Sequence, residues 1–352
     1  MVDVLGYDIG GANTKAALVK VKNGKLIKSE VSFEYFPIWK EPQRLVNVLL
    51  SLKQRLELDY VDAVCVTMTA ELSDAYQTKR EGVNHILGCV KEAFPDTRIF
   101  VLNTEVELYS IDAAIQKPFE VAAANWAATG WLVAQHLKNC VVVDVGSTST
   151  SIIPVAHGKV AACGKTDLAK LINGELVYTG SLRTNVATIV QSVPIKQDIA
   201  VVASELFALS GDIHLVLGNI TKKDYTSETA DSRGKTVAES LARIARVICA
   251  DTEMLSRQEI LNMAQFIYCK QIQQIASGLA KVYAYTKSLV QGRVPVVVTG
   301  LGKYFLAKQA AEVVKVDEIV DLGMLLPSKA ILATPAFGVA FMAATKLEGD
   351  MK

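Results

Sequence analysis

Residues 5–15, LGYDIGGANTK, decide how this chain is read. A short apolar run ends in Asp8, two glycines follow, and Asn13, Thr14 and Lys15 leave the turn. Glycine has no Cβ, so the backbone N–H groups around Gly10 and Gly11 can come close to an anion. Asp8 at the strand's end is placed to hold a cation, directly or through water, beside that anion. Residues 141–150, VVVDVGSTST, repeat the pattern with Asp144, Gly146 and the donors Ser147, Thr148 and Ser149. Either stretch alone reads equally as an ordinary strand–turn–strand hairpin. Two of them, headed by Asp8 and Asp144, read as the twin turns of a phosphate–metal clamp.

The 352 residues are enough for two domains, and 51% hydrophobic against 21% charged content gives a sizeable core and argues against disorder. A net charge of +1 offers nothing to nucleic acid or to a membrane surface. With no apolar run of membrane-spanning length and a strand at the very start, the expectation is a cytoplasmic protein. Cys65, Cys89, Cys140, Cys163, Cys249 and Cys269 are scattered, mostly through apolar stretches, and read as buried free thiols. Neither they nor His85, His136, His157 and His214 have zinc-ligand spacing.

Outward from the first turn, residues 2–21 read as a hairpin and residues 26–33 as a third strand after Asn23-Gly24. Residues 43–56 carry helical spacing, and residues 61–68 are a buried strand. A helix after Glu81, a strand at 98–102 and helices at 110–116 and 122–136 complete the first half. The second half opens as the first did, with three short strands over 141–162, a repeat at the level of the fold. Residues 219–233 are polar and aperiodic and read as a surface loop, and residues 236–289 are largely helical. On that helical stretch Arg243 and Arg246 lie three apart and read as a solvated face. Residues 294–302, VPVVVTGLG, run into a glycine turn, and Thr334-Pro335 opens a closing helix over residues 331–346.

Four pieces therefore stand in order: DIGGANTK, DVGSTST, VVVTGLGKYFLA and TPAFGVAFMAA. That order resembles the actin–hexokinase–Hsp70 superfamily over essentially the whole chain. The resemblance implies an α/β, two-lobed, ribonuclease H-like duplicated fold with a mixed five-stranded sheet in each lobe and a ligand in the cleft between them. The lobes are expected at residues 1–137 and 138–334, with residues 335–352 as a helix packing back on them. Outside the turns, residues 68–83, 123–131, 164–189 and 212–251 are similar to the hydantoinase/oxoprolinase-related proteins of the methanofuran and tetrahydromethanopterin one-carbon pathways. That resemblance implies a transferase. Its small-molecule substrates would be an aminomethyl-furanmethyl diphosphate and γ-glutamyltyramine, joined by an aryl ether with loss of diphosphate, and Mg²⁺ would be the cofactor. A homo-oligomer is compatible with it, and nothing in it calls for nucleic acid or membrane.

The chemistry needs a held leaving group. A furfuryl diphosphate ionises readily because the ring delocalises the cation, so catalysis turns on stabilising the departing diphosphate. The donors are then Gly10, Gly11, Asn13 and Thr14 from one turn and Gly146, Ser147, Thr148 and Ser149 from the other, with Asp8 and Asp144 holding Mg²⁺. Asp8 and Asp144 read alternatively as turn-capping carboxylates, and Lys15 as either a compact positive charge or a solvated strand residue. The acceptor phenol needs a base, and Glu71 and Asp74 follow directly on the C-terminal end of the strand at 61–68. Glu71 is the favoured base, with a helix-starting acid as its alternative. Asp74, Lys79, Asn125, Thr184, Gly300 and Gly302 are candidate substrate contacts. The forked guanidinium of Arg183 suits phosphate or a glutamyl carboxylate, or else a structural ion pair.

Two rivals remain. An ATP-dependent kinase or ATPase of the same fold would use Gly300, Gly302 and Lys303 for adenosine, and a nucleotide-regulated binding module would need no catalytic carboxylate. Residues 158–166, GKVAACGKT, look like a P-loop, but five residues separate the glycines where that motif needs four.

Overall fold

The first strand, β1 (Val2–Ile9), is buried along both faces. Its near-continuous apolar run reflects that position, because a strand covered on both sides has no solvent face to alternate with. It pairs antiparallel with β2 (Asn13–Lys22) and parallel with β4 (Ala63–Met68). With β3 (Lys25–Tyr35), β5 (Arg98–Leu102) and β6 (Leu108–Ser110) they form a six-stranded sheet in the order β3-β2-β1-β4-β5-β6. The computed structural model describes residues 1–350. Two units divide the chain: Met1–Asn139, Val155–Lys170 and the chain from Leu322 form one, and Cys140–Pro154 with Leu171–Asp321 the other.

The second sheet runs β10-β8-β7-β13-β14, built from β7 (Cys140–Val145), β8 (Thr150–Ala156), β10 (Leu176–Val177), β13 (Val296–Thr299) and β14 (Ile319–Asp321). The two-residue β9 (Lys159–Val160) pairs with the end of β8. A separate hairpin joins β11 (Ser192–Ile195) to β12 (Asp198–Val201). Each large sheet is mixed, as expected, but carries six strands where five were implied. The sixth is β6 in one and β9 in the other, each only two or three residues long and too short to leave a periodic signal.

In the first unit the apolar core lies between the sheet and the helices Leu45–Arg55 and Lys79–Ala93, with Leu5, Tyr7, Val66, Leu49, Ile86 and Val90 among its members. The closing helix, Thr334–Asp350, packs close to β1: a Cβ on Gly6 would sit 2.1 Å from the Ala336 carbonyl oxygen. A separate short helix, Ser328–Leu332, precedes it, so the single helix expected over 331–346 is two elements. The second unit has its own core around Val186, Ile213, Leu241, Ile244, Met263 and Ile267, against the 33-residue helix Arg257–Leu289.

Two further expectations are corrected. Arg243 is fully buried, bonded through Nε (2.9 Å) and Nη2 (2.8 Å) to Asp212 and through Nη1 to Asp231 (3.0 Å), so it is no solvated-face residue. The polar loop at 219–233 is accordingly drawn inward, burying Tyr225, Ser227 and Thr229. Of the six free cysteines, Cys65, Cys89 and Cys140 are buried, but Cys163, Cys249 and Cys269 are exposed.

Candidate functional site

The two turns are built alike. In the first, the Gly10 N–H donates to the Asn13 carbonyl (3.0 Å), and in the second the Gly146 N–H donates to the Ser149 carbonyl (3.0 Å). These two N–H groups close the turns and are spent doing so. Glycine is required at Gly10, where a Cβ would lie 2.8 Å from the Asn13 oxygen, while the space around Gly11 is open. Asp8 is buried near the end of β1, opposite Lys15 on β2 and level with Thr67 on the parallel β4. Asp144 on β7 is level with Thr299 on the parallel β13. The hydroxyls of Thr67 and Thr299 are both buried and make no hydrogen bond, and so is that of Thr14. The duplication therefore extends from the strand order to an Asp–Thr pair at each turn.

A loop props the second turn. The N–H groups of Ser181, Leu182 and Arg183 donate to the carbonyls of Gly146 (2.9 Å) and Ser147 (2.9 and 3.0 Å). Gly180 allows this approach, since a Cβ there would stand 2.6–2.7 Å from backbone atoms of Ser147, Thr148 and Ser149. The Arg183 guanidinium is thereby brought to the Thr148 hydroxyl, Nη1 to Oγ1 3.3 Å. Thr184 turns its hydroxyl inward, where it accepts from the Gly180 N–H (2.9 Å). Gly300, at φ +85°, and Gly302 press on the end of β7; a Cβ on Gly300 would be 2.6 Å from Asp144 Oδ1. Lys303 beside them is paired with Asp321 at 2.9 Å.

In the first unit, β4 runs into a single 3₁₀ turn, Ala70–Leu72, which buries Glu71 to 1% exposure. Neither carboxylate oxygen makes a hydrogen bond, and Lys79 Nζ stands 3.7 Å away. Burial raises the Glu71 pKa to about 7, against the pull of Lys79, with the Asp167 charge adding to the rise. Lys79 sits in the first turn of its helix, where Thr78 caps by accepting from the Glu81 N–H, and its Nζ lies 2.5 Å from Asp167 Oδ2. Asp167 lies in GKTDLAK, residues 164–170, which overlap the false P-loop and carry no spacing that marks this carboxylate. The same segment supplies Lys170, buried with its Nζ 3.7 Å from the Trp126 ring centre. Asn125 is half-buried next to that ring, whereas Asp74 is exposed and outside the Glu71–Lys79–Asp167 group.

The helix Lys79–Ala93 also fixes the Glu71 backbone. A Cβ on Gly82 would lie 2.5 Å from the Glu71 carbonyl oxygen and 2.6 Å from its Cα. Gly82→Ala should therefore cost about 1–3 kcal/mol of stability and lower turnover by moving Glu71. The exposed Gly88 on the same helix has open space at its Cβ position. Gly88→Ala should gain about 0.5–1 kcal/mol with unchanged turnover. Thermal denaturation and initial rates on the two variants check both.

Among the described residues no group of three or more His, Cys, Asp or Glu could hold a metal ion, so no all-protein metal cage exists there. A single carboxylate beside an unused hydroxyl, as at Asp8–Thr67 and Asp144–Thr299, is an oxygen donor set that fits Mg²⁺ retaining most of its waters.

The hydantoinase/oxoprolinase family model matches residues 62–346. The chain belongs to the hydantoinase/oxoprolinase family. Within it, the chain is 36% identical over 98% of both lengths to the (4-{4-[2-(γ-L-glutamylamino)ethyl]phenoxymethyl}furan-2-yl)methanamine synthase of Methanocaldococcus jannaschii. It is 39% identical to the enzyme of the same name from Methanococcus vannielii, over 62% of this chain and 97% of that one. Among solved structures, nucleotide-free acetone carboxylase superposes with a TM-score of 0.60 at 11% identity, covering 96% of this chain and 70% of its own. At that identity the likeness speaks to fold alone, and the fold resembles the actin–hexokinase–Hsp70 type. No helix among the described residues is long and apolar enough to cross a membrane.

Proposed function

We propose that this member of the family is a transferase that joins an aminomethyl-furanmethyl diphosphate to γ-glutamyltyramine. The phenol oxygen forms the new C–O bond to the furfuryl carbon, the bond from that carbon to diphosphate breaks, and the phenol proton goes to a base. The observation that carries the reading is the 36% identity to the Methanocaldococcus jannaschii synthase along 98% of both chains. The buried Glu71 supports it, because a carboxylate raised to about 7 is a far better proton acceptor for a phenol than an ordinary one. Lys79, held by Asp167, keeps a positive charge 3.7 Å from the ionised carboxylate and limits that rise.

In this reading the turns bind diphosphate. At the first turn, backbone N–H groups, the Thr14 hydroxyl and Lys15 are the groups that would meet phosphate oxygens; at the second, the hydroxyls of Ser147, Thr148 and Ser149 with the Arg183 guanidinium would do so. Asp8 with Thr67, and Asp144 with Thr299, are the groups that would hold Mg²⁺ through water. The ion would supply charge neutralisation at the leaving oxygens. Lys303, which the kinase alternative would use beside Gly300 and Gly302, is paired with Asp321 at 2.9 Å.

Mass spectrometry after incubation with both substrates tests the proposal. The coupled amine and one equivalent of diphosphate are expected, and no product beside an active homologue rejects it. Diphosphate with Mg²⁺ should also raise the melting temperature, and stabilisation by ATP with no effect of diphosphate would favour the kinase.

A further inference from the structure

The loop that props the second turn is itself held by a buried polar chain in which every atom has a fixed role. Gln271, fully buried on the long helix Arg257–Leu289, donates from Nε2 to the Gly180 carbonyl (2.8 Å) and to Thr179 Oγ1 (3.0 Å). Both of its amide hydrogens are thus committed, and its Oε1 is left as an acceptor. The atom facing that oxygen at 3.0 Å is His214 Nε2, which must therefore carry a hydrogen. His214 Nδ1 is then the bare nitrogen, and Asn219 Nδ2 donates to it at 3.2 Å. Fully buried, His214 stays neutral, with burial driving its pKa down to about 3.

The imidazole is clamped by rings as well as by hydrogen bonds. Phe305 lies 4.5 Å from it centre to centre, and Tyr268 meets it edge-on at 5.7 Å. The Tyr268 hydroxyl donates to the Phe305 carbonyl at 2.5 Å. Phe305 lies three residues beyond Gly302, whose turn presses on β7 at Asp144 and Val145. Two separate props of the second turn, the Gly180 loop and the Gly302–Phe305 segment, thus meet at His214 and Gln271.

Burying this much polar surface costs several kcal/mol unless each group is satisfied, and apolar packing would fill the same volume more cheaply. What a satisfied network adds is a single geometry. We propose that Gln271 is a positioning residue for the second turn, acting through Gly180 to fix the Ser147–Ser149 backbone and the Arg183 guanidinium, with His214 fixing the Gln271 amide. The proposal rests on the reading above in one respect only, that this turn holds diphosphate.

The test compares Gln271→Met with Gln274→Met, whose side chain reaches only the Thr188 and Ile189 carbonyls at 3.3 and 3.4 Å. Gln271→Met should weaken binding of inorganic diphosphate with Mg²⁺, measured by calorimetry, about tenfold or more, and raise the KM for the diphosphate substrate in step. The KM for γ-glutamyltyramine should stay within about twofold, since its base lies elsewhere. Amide exchange should quicken at Ser181, Leu182 and Arg183 and not in the β7 core, and Gln274→Met should change none of these. Should Gln271→Met fail to fold, Thr179→Val removes one acceptor from the same amide and carries the same expectation. Unchanged diphosphate affinity, or equal losses for both substrates with unchanged exchange, overturns the proposal. A wild-type protein that does not bind diphosphate overturns the proposed function and this inference with it.

Discussion

Glu71→Gln is expected to lower turnover about 10²- to 10⁴-fold while leaving the melting temperature at pH 8 unchanged or higher. The two halves of that expectation share a cause. Burial raises the carboxyl to about 7 against the pull of Lys79, so the folded protein holds the proton more tightly than the unfolded chain does. A folded pKa above the unfolded one contributes stability fully present below the ordinary carboxylate range and lost as pH rises through about 7. At pH 8 the wild-type fold therefore carries an ionised buried carboxylate held by one ammonium at 3.7 Å, a cost that a neutral amide of the same shape removes.

The rate moves the other way with pH. A base works when deprotonated, so wild-type kcat/KM should rise with pH through about 7 and level above it, and the Glu71→Gln profile should lose that limb. Lys79 pulls the Glu71 pKa down, so Lys79→Met should shift the rising limb to higher pH without abolishing it. A pH–rate profile with the same limb in Glu71→Gln as in wild type would remove Glu71 as the base. So would near-normal turnover in that variant.

Sequence singles out Glu71 because it follows directly on β4, an unbroken apolar run, and the structure shows that carboxylate fully buried. It placed both turns because an apolar run ending in Asp and Gly occurs twice in one order. It could not place Asp167, which meets Lys79 from 88 residues away, since nothing local to either residue encodes that pairing. Gly82 was hidden for the same reason: its lack of a side chain matters only because the Glu71 backbone lies against it. Periodicity misplaces Arg243 because it assigns a charged residue to solvent unless its partners are known. Those partners, Asp212 and Asp231, lie on a preceding helix and in an aperiodic loop. Hydrophobic pattern thus reported the strands and the groups at their ends, while the polar pairs that tune those groups are long-range and left no trace in spacing.

Asp8→Asn and Asp144→Asn should each lower turnover about 10²- to 10³-fold with the fold intact. Asparagine is the right probe because it preserves shape where space is tight: Asp8 is 6% exposed, and Asp144 Oδ1 lies 2.6 Å from where a Cβ on Gly300 would stand. The substitution removes one negative charge and leaves an oxygen, so a turn-capping role would survive it almost unchanged. A role in holding Mg²⁺ would not, because a hydrated hard cation is held chiefly by carboxylate charge. The loss should therefore come with a higher Mg²⁺ concentration for half-maximal rate. Thr67→Val and Thr299→Val sharpen the contrast. Each removes a buried hydroxyl that makes no hydrogen bond, which should gain up to about 1 kcal/mol of stability in the absence of metal while raising the Mg²⁺ requirement. Near-normal rates in both asparagine variants at low Mg²⁺ would take the carboxylates out of catalysis. Loss in one alone would show that the duplicated turns, alike in backbone and in their Asp–Thr pairs, have been put to different uses.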